Sequence, residues 1–164
     1  SYLAQAMVNA ACRRDYTARY FRLDDLANQL AVYHHTDPAR LKFLQDLHSC
    51  DALVLDDFLT TPISSETAAE VLNILAAREG KGATVVTSQF DPEDWYKSLH
   101  DAVVAESILN RIVSNAAWRI GVSGNGSPRI GKHDSGDREA LREHTPAAGV
   151  TVIPSSRQRG GPAR

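Results

Sequence analysis

The chain has 164 residues, 43% of them hydrophobic, enough for one domain with a buried core. A formal net charge of −2 excludes a binder of nucleic acid or membrane that works through whole-chain charge, and leaves a local basic face open. Cys12 and Cys50 give neither a metal spacing nor a disulfide framework, and no apolar run nears the ~20 residues that span a bilayer, so a reduced cytoplasmic protein without a membrane partner is expected.

In chain order, Leu3, Ala6, Met7, Ala10 and Ala11 recur at helical spacing and predict a helix over 2–13. Residues 17–23 alternate and carry β-formers, which predicts a short strand. Asp24 and Asp25 are placed to cap a helix over about 25–33, and Thr36-Asp37-Pro38 starts another that runs to about His48. Residues 52–57 (ALVLDD) are a fully apolar run ending in two acids, as expected of a strand buried on both faces of a parallel sheet. Ser64-Ser65-Glu66 opens a helix to about Glu79, which Gly80-Lys81-Gly82 ends. A second buried strand follows at 83–88, then a helical turn holding Trp95. A helix over 102–115 has Val103, Val104, Ile108, Leu109 and Ile112 on its apolar face, and a last strand covers 117–122. Beyond about Gly124 the composition turns to Gly, Ser, Pro, Arg and Asp, and residues 131–164 read as a disordered low-complexity tail after a 1–130 core. The alternation of elements predicts an α/β fold with a parallel sheet, whose active site lies at the carboxyl ends of the strands.

Four features bear on chemistry. Leu53-Val54-Leu55-Asp56-Asp57 delivers two acids at a strand end, which is what a Walker B motif needs: Asp56 to hold Mg²⁺ and Asp57 to polarise the attacking water. The bland alternative is a strand leading into a polar turn. Gln89, after Thr87-Ser88, is an amide able to contact a γ-phosphate without adding charge, or else part of an ordinary strand exit. Arg111, on a mostly apolar helix, is either a finger that reaches a neighbouring subunit's phosphate or a snorkelling surface residue. Ser1, just before the first helix, is either the Mg²⁺-ligating hydroxyl at the end of a P-loop or a helix cap.

Lesser features have ordinary readings. His34-His35 lacks a third ligand close in sequence and reads as a helix-end pair; Cys12 and Cys50 read as buried small apolar residues. Trp95 and Tyr96 either stack on bases or clasp the sheet edge. Arg13, Arg14, Arg19 and Arg22 are candidates for contacts to a nucleic-acid backbone, against a solvated face.

Taken together, these residues resemble the IstB-type transposase helper ATPases, relatives of the DnaC helicase loaders within the AAA+ class. The resemblance covers about residues 1–129. Ser1-Tyr2-Leu3-Ala4 is similar to the segment that completes the P-loop and enters the first helix. Arg13-Arg14, Tyr20-Phe21-Arg22-Leu23 and Asp25-Leu26 resemble the second strand and following helix. Leu53 to Phe58 resembles the Walker B subgroup that ends in Asp-Asp-Phe, and Ala83 to Gln89 resembles the sensor-1 strand. Ala105 to Ile112 resembles the segment that carries the arginine finger, here Arg111, and Gly124 to Arg129 resembles a terminal segment in which Arg129 is sensor-2-like.

The resemblance implies a three-layer αβα P-loop domain, here without its first strand and P-loop. It implies ATP and Mg²⁺ as cofactors, assembly of a homo-oligomer on double-stranded DNA, and a transposase as partner. Ser1, Asp56 and Arg129 are then expected to bind the nucleotide and its metal, and Asp57, Gln89 and Arg111 to serve catalysis. Without the Gly-rich loop and its Lys, this chain alone is expected to bind ATP weakly or not at all. A helicase loader of the same fold, or an inactive remnant of such an ATPase, are the alternatives.

Overall fold

A computed structural model describes residues 1–116, 118–122, 128–132 and 148–153. Helix α1 (Tyr2–Cys12) is followed by strand β1 (Ala18–Arg22), helices α2 (Leu23–Val32) and α3 (Pro38–Ser49), strand β2 (Ala52–Asp56), helix α4 (Ser65–Arg78) and strand β3 (Ala83–Ser88). A 3-10 turn (Pro92–Ser98) leads to α5 (Ala102–Leu109), whose last turn widens to a π-helix over Asn110–Ser114. Strands β4 (Trp118–Val122), β5 (Pro128–Lys132) and β6 (Ala148–Ile153) complete a six-stranded sheet of order β1-β2-β3-β6-β4-β5.

The expected parallel sheet is present in β1-β2-β3, and the remaining pairings are antiparallel. Because β6 opposes both β3 and β4, those two run in the same direction with a reversed strand between them. Residues 148–153 lie within the stretch read as a disordered tail, and their backbone pairs on both sides. Ala148-Gly-Val-Thr-Val-Ile holds the apolar cluster Val150, Val152 and Ile153, a β-former run whose polar surroundings masked it in composition.

The period-2 alternation of the strands divides the core in two. Leu53, Leu55 and Val86 face a large cluster built by α2 to α5 around Leu26, Leu47, Phe58, Ile74 and Ile108. Val54 and Val85 face the opposite side, where Ala4, Met7 and Val8 of α1 pack with Tyr20. The sheet thus lies between α1 and the other helices. The inward stripe of α1 is rotated from the one its spacing predicted: Leu3 and Ala10 are exposed, and Cys12, read as buried, is exposed as well, whereas Cys50 is buried. A helix with apolar residues on most sides does not reveal which side is buried. Val103, expected inward on α5, is likewise exposed, and packing falls to Ala105, Ile108 and Ile112.

Capping follows the sequence closely. Asp37 caps α3 through Ala39 N with Pro38 in its first turn, and Ser64 caps α4 through Thr67 N. Helix α2 differs, since it begins at Leu23 without a side-chain cap and carries Asp24 and Asp25 in its first turn, where the helix dipole favours acids.

Arg78, at the end of α4, is 1% exposed and donates to the carbonyls of Leu47, Cys50 and Ala83 and to the Thr84 hydroxyl. It ties α3, α4 and β3 together. Burial pushes its pKa down, countered in part by Cys50 and Asp51; burial also pushes the Cys50 thiol up. A β-carbon on Gly82 would stand 2.6 Å from Arg78 Nη2 and 2.7 Å from the Cys50 carbonyl, so only glycine fits there.

Candidate functional site

Strand β2 is buried along its apolar length and ends on Asp56, which is only 1% exposed. An ionised carboxylate so far from water requires hydrogen-bond donors. Three elements supply them. Asp56 shares the face of Val54, toward α1, by strand alternation, and Tyr20 of β1 and Thr87 of β3 lie on that face. The Tyr20 hydroxyl donates to Asp56 Oδ2 across 2.7 Å, and the Thr87 hydroxyl donates to Oδ1. The Ser1 nitrogen contacts Oδ2 from the start of α1. Ser1 also caps that helix, its Oγ accepting from Ala4 N, so the positive end of an 11-residue helix faces the carboxylate.

Asp57 diverges from its neighbour. Its φ of 50° places it in the left-handed region, costly for a residue with a β-carbon, and swings its side chain out of the strand. Thr60 donates through N and Oγ1 to the Asp57 carbonyl, and Phe58 N donates to the Thr87 carbonyl at 2.8 Å, which pins the turn to β3. Outside the sheet, Arg22 Nε donates to Asp57 Oδ2 at 3.0 Å, with both side chains partly exposed. One acid is therefore locked in the interior, while its neighbour faces solvent beside a cation. That division suits one carboxylate that positions a metal's water shell and one that can orient a reacting water.

The structure brings Ser1 and Asp56 into contact, while Asp57, the next residue in the chain, turns its side chain to Arg22. Gln89 is exposed just past β3, and the side chain of its motif that touches Asp56 is Thr87. Ser88 instead secures the strand exit, donating to the Phe58 carbonyl and accepting from Phe90 N and Trp95 Nε1. Trp95 is buried edge-on against Phe58, so of the two base-stacking candidates only Tyr96 is exposed. Arg111 is not at this site. It lines a small cavity with Arg78, Glu79, Thr84 and Asn115, near the amino end of β3, and its Nε is buried without a partner. Thr84 and Thr87 are three strand residues apart, roughly 10 Å. Arg129 falls on β5, and its side chain lies outside the described residues.

Tyr20 was not singled out as a site residue by sequence reasoning, Thr87 entered only as part of the Thr87-Ser88-Gln89 feature for which Gln89 was chosen, and Arg22 was read only as a candidate DNA contact. The available signal was two polar residues two apart on a short strand, Tyr20 and Arg22, paired in register with the acidic strand. His34 and His35 are exposed, and His35 pairs with Glu66 at 3.1 Å. Among the described residues no trio of His, Cys, Asp or Glu forms a metal cage, and no helix is long and apolar enough to cross a membrane.

Comparison with known proteins completes the picture. Two solved structures of the replication initiator DnaA share the fold: the AMPPCP-bound protein from Aquifex aeolicus (TM-score 0.55, 24% identity, 64% of this chain and 33% of that one) and DnaA bound to AMPPCP and single-stranded DNA (TM-score 0.54, 25% identity, the same coverage). The β1-β2-β3 sheet with its helices is thus an AAA+ P-loop arrangement. The insertion sequence ATP-binding protein y4uH of Sinorhizobium fredii is 33% identical over 130 residues, which are 79% of this chain and 52% of that protein. An ATP-binding protein in an insertion sequence of Mycobacterium tuberculosis is 27% identical over 117 residues, 71% of this chain and 46% of that protein. The chain spans about half the length of these relatives. The family described as IstB-like ATP binding protein matches residues 1–133, and the chain belongs to that family.

Proposed function

We propose that this chain forms part of an ATPase that assists DNA transposition, with Asp56 and Asp57 at the centre of its Mg-ATP site. One observation carries the reading: a buried carboxylate at the tip of β2, held by hydroxyls from both flanking strands, faces the first turn of α1 and is followed at once by a second, more exposed acid. The residues fit Mg²⁺, which binds through one or two carboxylates and keeps several waters. The Ser1 hydroxyl lies at the same helix start, whose N-terminal dipole faces Asp56. When bound, Mg²⁺ would neutralise charge on the phosphates. Asp56 would hold the water shell of the metal, Ser1 would offer its hydroxyl from the helix start, Asp57 would orient the attacking water, and Gln89 would sense the terminal phosphate. Arg111, remote from its own Asp56, would act on the site of a neighbouring subunit, and Arg129 would complete nucleotide binding.

The names of the relatives, ATP-binding proteins of insertion sequences, support transposition over helicase loading. The DnaA complex with single-stranded DNA supports a DNA partner, here double-stranded DNA together with a transposase. Arg13, Arg14 and Arg19 are exposed and remain candidates for phosphate contacts, whereas Arg22 is engaged by Asp57. The test is Asp57→Asn in the full-length protein. ATP binding should stay at the parent's affinity and phosphate release should fall at least a hundredfold. Unchanged phosphate release overturns the assignment.

A further inference from the structure

Tyr20 enters the reading above only as one of the hydroxyls that hold Asp56, and the geometry of its contact to that carboxylate says more. The hydroxyl lies 2.7 Å from Asp56 Oδ2, and the ring packs with Val54, Val85 and Ala4 on the α1 face. Strand pairing sets Tyr20 opposite Val54, so its side chain reaches two residues along β2 to the acid. Thr87 takes the other oxygen. Each carboxylate oxygen therefore already accepts one hydroxyl, and Asp56, nearly inaccessible to solvent, has little freedom to turn.

We infer that Tyr20 is a positioning residue that holds Asp56 as an acceptor for metal-bound water and so favours Mg²⁺ over larger divalent cations. This rests on Asp56 being the metal-site acid. With Oδ2 held by Tyr20 and touched by the Ser1 nitrogen, and Oδ1 accepting from Thr87, Asp56 has few electron pairs left, and these would accept from the water shell of a bound cation. Mg²⁺ retains that shell, whereas Ca²⁺ tolerates irregular and direct carboxylate ligation. A phenylalanine at 20 keeps the ring packing and removes only the donor, which frees Asp56 to rotate and ligate a cation directly.

The experiment titrates Mg²⁺ and Ca²⁺ by calorimetry into the full-length protein saturated with a non-hydrolysable ATP analogue, for the parent, Tyr20→Phe, Thr87→Val and Asp56→Asn. Losing one hydrogen bond to a charged group should weaken Mg²⁺ binding by Tyr20→Phe about tenfold. Ca²⁺ affinity should hold or rise, so the Mg²⁺/Ca²⁺ ratio falls. Thr87→Val, which removes the donor on the other oxygen, should lower the same ratio. A purely structural role would lower both affinities together along with the melting temperature, and would overturn the inference. Parental affinities in Tyr20→Phe, with binding abolished in Asp56→Asn, overturn the role of Tyr20 alone. Unchanged Mg²⁺ binding in Asp56→Asn overturns the metal-site reading itself.

Discussion

Arg22 holds Asp57 across 3.0 Å from the neighbouring strand, so the acid expected to orient water is occupied by a guanidinium. An oxygen that accepts from Arg22 is less free to accept from water. Arg22→Ala should raise basal ATP turnover of the full-length protein several-fold. Its stability cost should stay below about 1 kcal/mol, because an ion pair this exposed gains little. Steady-state phosphate release and urea denaturation check the two halves. Slower turnover at unchanged stability would show that Arg22 assists the site.

Arg111 lies near the amino end of β3, away from the acids of its own subunit. If it serves a neighbour, Arg111→Ala should bind ATP normally and lose turnover by roughly 10³-fold, the lower end of finger effects in GTPases. Mixing it with Asp57→Asn subunits should restore part of the activity, since each variant supplies what the other lacks. No recovery in mixed oligomers would assign Arg111 to its own fold.

Gly82 and Arg78 form one structural unit. Gly82→Ala should destabilise the domain by about 1–3 kcal/mol, because the added methyl meets a buried guanidinium and a carbonyl. Arg78→Met removes the guanidinium hydrogen bonds to the Leu47, Cys50 and Ala83 carbonyls and should cost roughly 2–4 kcal/mol. In the double variant the costs should fall short of additive, since the side chain that clashes is gone. Denaturant midpoints of the four proteins decide it.

His48 is expected to shape the acid limb of stability. Burial, with Lys81 and Arg78 nearby, holds its folded pKa below 6.5, while Glu70 opposes this. Above 6.5 both states are neutral and the shift costs nothing. As pH falls through 6.5 the unfolded chain takes up a proton that the folded chain resists, so stability is lost until the folded pKa is passed. His48→Gln should therefore lose less stability than the parent between pH 7.5 and 5.5 in urea titrations. Parallel losses would exclude His48 as a contributor.

The sequence disclosed the elements that depend on local rules. Asp37-Pro38 and Ser64 mark helix starts because capping is a matter of adjacent atoms, and the ALVLD run marks β2 because burial on both faces permits nothing else. The position of Asp56 and Asp57 at the carboxyl end of that strand was legible for the same reason. What surrounds them was not: Tyr20 and Thr87 reach Asp56 from positions 36 and 31 residues away, through a register that no local pattern encodes. The orientation of α1 was hidden because its apolar residues circle the helix. Strand β6 was hidden because six suitable residues sit in a polar, glycine-rich stretch.

The reversed strand β6 carries a kinetic consequence. Its partners are far apart in the chain, with Thr84 meeting Ile153 while Trp118 meets Val152, so among the described residues β3 and β4 are joined in the sheet through a strand made well after both. Closing so long a loop is entropically costly and slow relative to the local β1-β2-β3 unit. Assembly should thus proceed in two steps, an early half that already contains both acids and a late half that docks like the final stave of a barrel.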